Sequence, residues 1–478
     1  MAQALWWLFA AYLAGVTLFI VAENRRPSAT FAWILLFATL PVAGVALYLL
    51  FGLNRRVGRA RTLERQDVLG RIAPLLDSLG PQHEEALRLL EAEGGAGAAV
   101  ARLVSRTSHS TVTLGNDVEL LHDAARAYPR LLADLRGARA SIHLQYFSWR
   151  SDAFGEALRG LLAAKAAEGV EVRVLYDPVG SLLMLGRRHL RAMRASGVDM
   201  RPFSRLWRVH TLSYRNHRKI AVVDGAVAHT GGLNIGGEHL RPPPGFDLWR
   251  DTNLRLAGPA ASVLQAVFLV DWRNATGQDL FAPGRFPETT GDPGRGVPVQ
   301  VTLSGPDSEW QAIRQTTFAI ITGARRTLFL QSPFFILDVS IAEALKAAAL
   351  KGVDVRVMIS ERGVSQRLPH WAAHTYMEEV ARAGVTVLLY RPGYLHAKTV
   401  MADGALCSVG SANVDIRSFA INYELNALVY DAGVTRSLEE AFRADEGRCV
   451  PFTLEGYRAR GPLLRLRDSV VRLASPLL

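Results

Sequence analysis

Two histidine-lysine pairs recur in this chain at one spacing. Tyr214-Arg-Asn-His217-Arg-Lys219 runs on through Asp224, Gly231, Gly232 and Asn234, and His396-Ala-Lys398 runs on through Asp403, Gly410, Ser411 and Asn413. Counted from each His, Lys stands at +2, Asp at +7, Gly at +14, Gly or Ser at +15 and Asn at +17. Residues two apart on a strand share a face, so each His projects beside its Lys. One such pair alone would carry little weight; the repeat of the whole pattern points to a duplicated unit with one centre built by both copies.

Two imidazoles, two ammonium groups and two amides suit a bound phosphodiester. Lys219 and Lys398 would offset charge on the non-bridging oxygens, with Asn234 and Asn413 donating hydrogen bonds. One His can attack phosphorus while the other protonates the departing alcohol and then acts as base for the incoming acceptor. The chain has neither an HxExxH motif nor a grouped set of carboxylates, so the expected reaction is metal-free and needs no cofactor.

An attacking imidazole must be neutral and in one tautomer, which calls for an acceptor on its far nitrogen. Candidates stand on the strand after each motif: Asp251 in Trp249-Arg-Asp-Thr-Asn253, and Glu424 in Asn422-Tyr-Glu-Leu-Asn426. Asp224 and Asp403 complete the repeated catalytic motif by position. Standing beside turn glycines, they read more as supports for the backbone than as proton carriers.

The elements that position these residues repeat as well. Ala138-Arg-Ala-Ser-Ile-His-Leu-Gln145 matches Ala324-Arg-Arg-Thr-Leu-Phe-Leu-Gln331, and Gly169-Val-Glu-Val-Arg-Val-Leu175 matches Gly352-Val-Asp-Val-Arg-Val-Met358. Strand, helix and strand in that order predict α/β units with parallel pairing. The expected division is a hairpin over 1–54, a helical connector over 55–110, a first catalytic domain over 111–290 and a second over 291–478.

Leu5 to Ala22 carries no charge and as a helix would cover about 27 Å. Thr30 to Leu53 is also uncharged, with Trp33 and Tyr48 near its ends and Pro41 predicted to kink it. Two spans joined by a short loop are expected. Arg55, Arg56, Arg59, Arg61, Arg65 and Arg71 after the second outnumber Arg25 and Arg26 between them, which places the catalytic part in the cytoplasm.

At 478 residues the chain can bury several cores, and a net charge of +11 favours phosphate-bearing partners. The arginine excess gathers beside the apolar segments, which favours an anionic membrane surface over nucleic acid. Two cysteines, Cys407 and Cys449, offer neither a zinc site nor a disulfide framework.

At these residues the chain resembles the phospholipase D superfamily, whose duplicated HKD motifs these are, and within it the bacterial cardiolipin synthases with two N-terminal spans. The resemblance extends through Leu47-Tyr-Leu-Leu-Phe-Gly52, Trp249-Arg-Asp-Thr252, Ser304-Gly-Pro-Asp-Ser308, Asn413-Val-Asp-Ile-Arg-Ser418 and the ending Arg472-Leu-Ala-Ser-Pro-Leu-Leu478. It departs at Asn253, where His would be expected. What it implies is an α/β protein of two pseudo-symmetric phospholipase D-like domains, each a mixed, largely parallel sheet flanked by helices, behind a transmembrane hairpin in the bacterial inner membrane. It further implies transfer of a phosphatidyl group between two phosphatidylglycerol molecules, with His217 as nucleophile and His396 as general acid. A hydrolytic phospholipase D and an HKD-type nuclease would share the same catalytic residues.

Overall fold

The strand Val112–His122 is the seam of the catalytic part of the chain. It pairs antiparallel with Val297–Ser304 on one side and with Thr252–Ala257 on the other. Beyond Val297–Ser304 the order outward is Glu424–Val429, Leu406–Gly410, Thr399–Ala402, Thr327–Ser332, Asp354–Ser360, Thr386–Tyr390 and the edge strand Cys449–Pro451. Beyond Thr252–Ala257 it is Val227–Gly231, Ile220–Val223, Ser141–Tyr146, Glu171–Tyr176 and Asp199–Pro202. The strand order is mirrored about the pairing of Val112–His122 with Val297–Ser304, Thr252–Ala257 answering to Glu424–Val429, except that Cys449–Pro451 has no counterpart, and the whole forms one continuous sheet of 15 strands. The computed structural model describes residues 2–23, 27–48, 60–204, 214–287, 296–364 and 367–475.

A largely parallel sheet in each half is therefore corrected. Within the 15-stranded sheet parallel pairing is confined to the strand-helix-strand units, Ser141–Tyr146 with Glu171–Tyr176 and Asp199–Pro202, and Thr327–Ser332 with Asp354–Ser360 and Thr386–Tyr390. The other neighbours in the sheet are antiparallel. The reason is local: each motif is a hairpin whose three-residue loop, 224–226 or 403–405, can join only antiparallel strands. Asp224 and Gly225 take φ of 53° and 69°, and Asp403 and Gly404 take 56° and 67°. Positive φ at both turn residues is the type I′ geometry that Asp-Gly favours and that matches strand twist.

Pro259–Thr276 and Ala432–Glu446 cover one face of the sheet. The apolar layer beneath them crosses the seam without a break, joining Ile220, Leu254, Val299, Leu425, Met401 and Phe329. On the other face each half has its own layer, under Ala153–Ala167 and Arg187–Ala195 in one and Val339–Leu350 and Arg367–Ala381 in the other. The shared layer and the backbone pairing of the seam make the relative placement of the two motifs a property of one core.

The connector begins as the helix Ala60–Glu93, which ends at Gly94 and Gly95, both at positive φ, before the helix Gly97–Ser108. The N-terminal segment is a separate compact unit with the helices Ala2–Ala22, Pro27–Thr39 and Pro41–Leu47. Pro41 starts a separate helix after Leu40, so the second apolar stretch is divided where only a kink was expected. Ile20, Phe37 and Tyr48 pack together, and the Tyr48 hydroxyl donates to Glu23 Oε1 at 2.6 Å. Ala2–Ala22 has 21 residues and no charged side chain. Among the described residues no helix is long and apolar enough to cross a membrane. Arg25, Arg26, Arg55, Arg56 and Arg59 lie outside the described residues.

Candidate active site

Each motif histidine is placed by the stretch just ahead of it, which leaves its own half to pair with the other. Asn216 bridges to Tyr423, and His217 N donates to Tyr423 O at 2.9 Å. In the second copy Gly393–Leu395 pairs in parallel with Leu248–Arg250, and His396 N donates to Arg250 O at 2.7 Å. Tyr423 and Arg250 directly precede Glu424 and Asp251, so the exchange sets each His beside the carboxylate of the opposite half. His217 Nδ1 lies 2.9 Å from Glu424 Oε2, and His396 Nδ1 lies 2.7 Å from Asp251 Oδ2. The carboxylate on the strand after each motif thus serves the other motif, not its own.

Both carboxylates are fully buried and further held. Glu424 accepts from Ser411 Oγ at 2.5 Å and Asn422 Nδ2 at 3.2 Å, and Asp251 accepts from the Thr252 amide at 2.9 Å. Ser411 and Gly232 are the one mismatched pair in the repeat, and the structure explains it. A Cβ on Gly232 would stand 2.0 Å from Asp251 Oδ1, whereas at the matching position Ser411 reaches the longer-armed Glu424. Asn253, out of place in the family pattern, matches Asn426 here: each amide oxygen accepts at 3.2 Å from a backbone N–H of the turn after its motif, Leu233 and Ala412.

Lys219 Nζ donates to His217 O at 2.6 Å, and Lys398 makes the same bond to His396 O. The four basic groups are close enough to act on one another electrostatically. Burial lowers the pKa of His217, with Glu424 opposing; burial, then Lys398, Lys219 and His217, holds His396 well below the ordinary imidazole value. Burial also brings Lys398 down to about 8 and Lys219 well below the usual ammonium range. Burial pushes Glu424 up, but His217, Lys219 and Ser411 prevail and keep it ionised. The site therefore concentrates basic groups that a phosphate anion would stabilise. Nδ1 of each imidazole is committed to a carboxylate, which leaves Nε2 of each for chemistry.

Asn234 Oδ1 accepts from the Ser148 amide at 3.2 Å, which turns its NH₂ the other way as a donor. Asn413 is held differently, bonded to Asp415 and with its Oδ1 buried and unpaired among the described residues. Asp224 and Asp403 are not in the site, although they complete the motif. The strands Ile220–Val223 and Thr399–Ala402 carry them away from the histidines. The Asp224 carboxylate accepts from the amides of Arg139, Ala140 and Ser141, and Asp403 accepts from those of Arg325, Arg326 and Thr327. Each ties its hairpin turn to the start of the neighbouring strand.

Several supporting groups carried no motif signal. Arg218 Nη1 donates to both carboxylate oxygens of buried Asp271, at 2.8 and 2.7 Å, and Gln145 donates to Asp271 at 2.7 Å. Asp177 Oδ2 accepts from the Asn216 amide at 2.9 Å, and Arg250 Nε donates to Asp445 at 2.6 Å. The repeat of Gln145 at Gln331, and of Phe268-Leu-Val-Asp271 at Phe442-Arg-Ala-Asp445, is the sequence signal that marks them. Among the described residues no group of three or more His, Cys, Asp or Glu side chains is arranged to hold a metal ion.

A mirrored α/β sheet with two His-Lys pairs meeting at its seam defines a phospholipase D-like protein. Residues 131–272 and 318–446 match the family model described as cardiolipin synthase, PLD-like domain, and residues 4–52 match the phospholipase D-nuclease N-terminal model. The chain is 36% identical to the major cardiolipin synthase of Bacillus subtilis (strain 168) over 96% of its length and 95% of that protein's. It is 37% identical to a cardiolipin synthase of Geobacillus sp. (strain WCH70), over 96% of this chain and 91% of that one. The crystal structure of the phosphatidylserine synthase of Haemophilus influenzae aligns at a TM-score of 0.59 and 14% identity, covering 79% of this chain and all of that one, a likeness of fold. The chain belongs to the cardiolipin synthase family of the phospholipase D superfamily.

Proposed function

We propose that this protein transfers a phosphatidyl group from one phosphatidylglycerol to the terminal hydroxyl of another, forming cardiolipin and releasing glycerol. His217 Nε2 attacks phosphorus and the bond to the glycerol oxygen breaks, with the proton on His396 Nε2 passing to that oxygen. Glycerol leaves a phosphatidyl group on His217. His396, now neutral, takes the proton of the acceptor hydroxyl, whose oxygen attacks phosphorus as the P–N bond breaks. Lys219, Lys398 and the Asn234 amide stabilise the phosphoryl oxygens, and Asn413 and Asp415 shape the opposite wall.

The observation that carries this is the crossed pairing of His217 with Glu424 and His396 with Asp251. It presents two imidazoles of fixed tautomer, one to attack and one to shuttle the proton. The assignment of attack to His217 follows the family resemblance of the first motif, since the two histidines are held alike, each through Nδ1 by a buried carboxylate of the opposite half.

We read the N-terminal helices as a membrane hairpin and the inner membrane as the site of action, with the catalytic part cytoplasmic. The uncharged Ala2–Ala22 helix and the matched N-terminal family support this. Purified full-length protein incubated with phosphatidylglycerol vesicles should yield cardiolipin and glycerol in equal amounts. Phosphatidic acid without cardiolipin would establish a hydrolase instead, and DNA cleavage dependent on His217 without lipid turnover would establish a nuclease.

A further inference from the structure

The chain after the first motif carries a third histidine to the centre. Tyr128 Oη donates to Asn234 O at 2.7 Å and to Gly236 O at 3.1 Å, and Asp152 Oδ2 accepts from the Gly237 amide at 2.6 Å. These clamps fix the segment from Asn234 into the short 3₁₀ turn Gly237–His239. His239 ends it, 4% exposed, with its ring centroid 4.5 Å from that of Trp249 and 6.5 Å from that of His396. Trp249 in turn lies 5.3 Å from the His396 ring.

Among the described residues neither nitrogen of His239 has a hydrogen-bond partner, nor has Trp249 Nε1. The nearest charge contact, Glu238 Oε1 at 3.9 Å from Nε2, is beyond hydrogen-bond reach. Burying such groups unpaired is costly, and native interiors seldom leave three together. The ring is neutral: burial, then His396, drives its pKa down to about 3. It offers one donor and one acceptor, and the indole adds a donor. That set matches a hydroxyl, which both donates and accepts, and does not match a phosphate, which only accepts.

We infer that His239 and Trp249 form a subsite for the second hydroxyl of a vicinal diol, beside the proton-transferring His396. The inference rests on the transferase reading above. With the secondary hydroxyl of a glycerol headgroup held there, the primary hydroxyl is directed at His396 and the phosphorus on His217. In the transfer step the primary O–H proton goes to His396 Nε2, the new P–O bond forms and the P–N bond to His217 breaks. His239 exchanges no proton; it is a positioning residue that selects diols over simple alcohols.

The test uses full-length protein, unlabelled phosphatidylglycerol as donor, and deuterium-labelled glycerol or 1-propanol as competing acceptors, with labelled phosphatidylglycerol and phosphatidylpropanol quantified by mass. Wild type should prefer glycerol by about tenfold or more, as expected of a site built to bond a hydroxyl. His239→Phe should bring that ratio to within about twofold of unity, and His239→Gln, which retains a donor and an acceptor, should restore part of it. Should the Phe variant not fold, His239→Met fills the same volume and carries the measurement. An unchanged ratio in a folded His239→Phe or His239→Met enzyme overturns the subsite, as does equal loss with both acceptors. A wild-type enzyme that forms neither cardiolipin nor either alcohol product would overturn the transferase reading instead, and one that forms cardiolipin but neither alcohol product would overturn the subsite.

Discussion

His217 Nδ1 sits 2.9 Å from Glu424 Oε2, across the seam between the two halves of the sheet. The mirror contact, His396 to Asp251, is 2.7 Å. Neither half can orient its own histidine, so the minimal active unit is the pair. Glu424→Gln keeps the shape but offers His217 a neutral partner that no longer fixes the ring or stabilises its cation. By analogy with other carboxylate-oriented histidines, turnover should fall about 10³- to 10⁴-fold in Glu424→Gln and in Asp251→Asn. Thermal melting should confirm that both fold. A loss below tenfold in either would remove that carboxylate from the mechanism.

The crossing also predicts which step each carboxylate serves. With a donor lipid bearing an activated leaving group, protonation of the departing oxygen becomes unnecessary. His396→Ala and Asp251→Asn should then still accumulate phosphatidyl-enzyme, detectable by mass spectrometry, whereas His217→Ala and Glu424→Gln should not. Trapping in Asp251→Asn but not Glu424→Gln would be the signature of crossed pairing. The reverse pattern would assign attack to His396.

The pH profile follows from burial of the basic groups. His217 attacks only when neutral, and burial puts its pKa below the ordinary 6.5, so kcat/KM should decline only as pH falls through that depressed value. His396 must hold a proton to act as acid, and burial and its basic neighbours hold its pKa well below the ordinary imidazole value, so kcat/KM should begin to fall as pH rises through that depressed value. The ammonium groups act only when charged. Burial lowers Lys398 to about 8 and depresses Lys219 as well, so a second fall should follow through about 8. A bound phosphodiester favours the charged lysines, which should move that second fall to higher pH in kcat than in kcat/KM. Absence of the second fall would show the lysines to be dispensable.

The duplicated spacing made the catalytic residue types and their hairpins legible, because Asp-Gly turns and alternating apolar strands are local signals. What crosses the seam was not legible. The partners of His217 and His396 depend on Asn216 meeting Tyr423 and on Gly393–Leu395 meeting Leu248–Arg250, contacts between residues far apart in sequence that no local pattern encodes. The merging of two sheets into one likewise depends on Val112–His122 reaching Val297–Ser304. His239 falls in no repeat, and its surroundings emerge only once Tyr128 and Asp152 have fixed its segment.

Asp224 and Asp403 carry a prediction that separates motif membership from chemistry. Asp224 holds three backbone N–H groups at a residue with φ of 53°. Asp224→Ala loses those charge-assisted bonds and forces a Cβ-bearing residue without a local side-chain acceptor into the left-handed region, at a cost of about 3 kcal/mol. Denaturant unfolding should show that loss, while turnover per folded molecule stays within about threefold of wild type. A loss of turnover as deep as that expected for Glu424→Gln, at unchanged stability, would return Asp224 to the reaction.

Membrane attachment and catalysis should separate at the N-terminal segment. The helices Ala2–Ala22, Pro27–Thr39 and Pro41–Leu47 form a compact unit with its own aromatic cluster, and the residues that build the His217 and His396 centre all lie after Arg59. A chain beginning at Arg55 should leave the carbonate-washed membrane pellet and appear in the supernatant. It should retain the melting temperature of the sheet and turn over phosphatidylglycerol dispersed in detergent. On vesicles its rate should fall, because it must now find the bilayer from solution; anionic lipid should recover part of that rate and added salt should abolish the recovery, since only its surface arginines remain to attract it. Retention of the shortened chain in the washed pellet would locate the anchor in the catalytic part of the molecule.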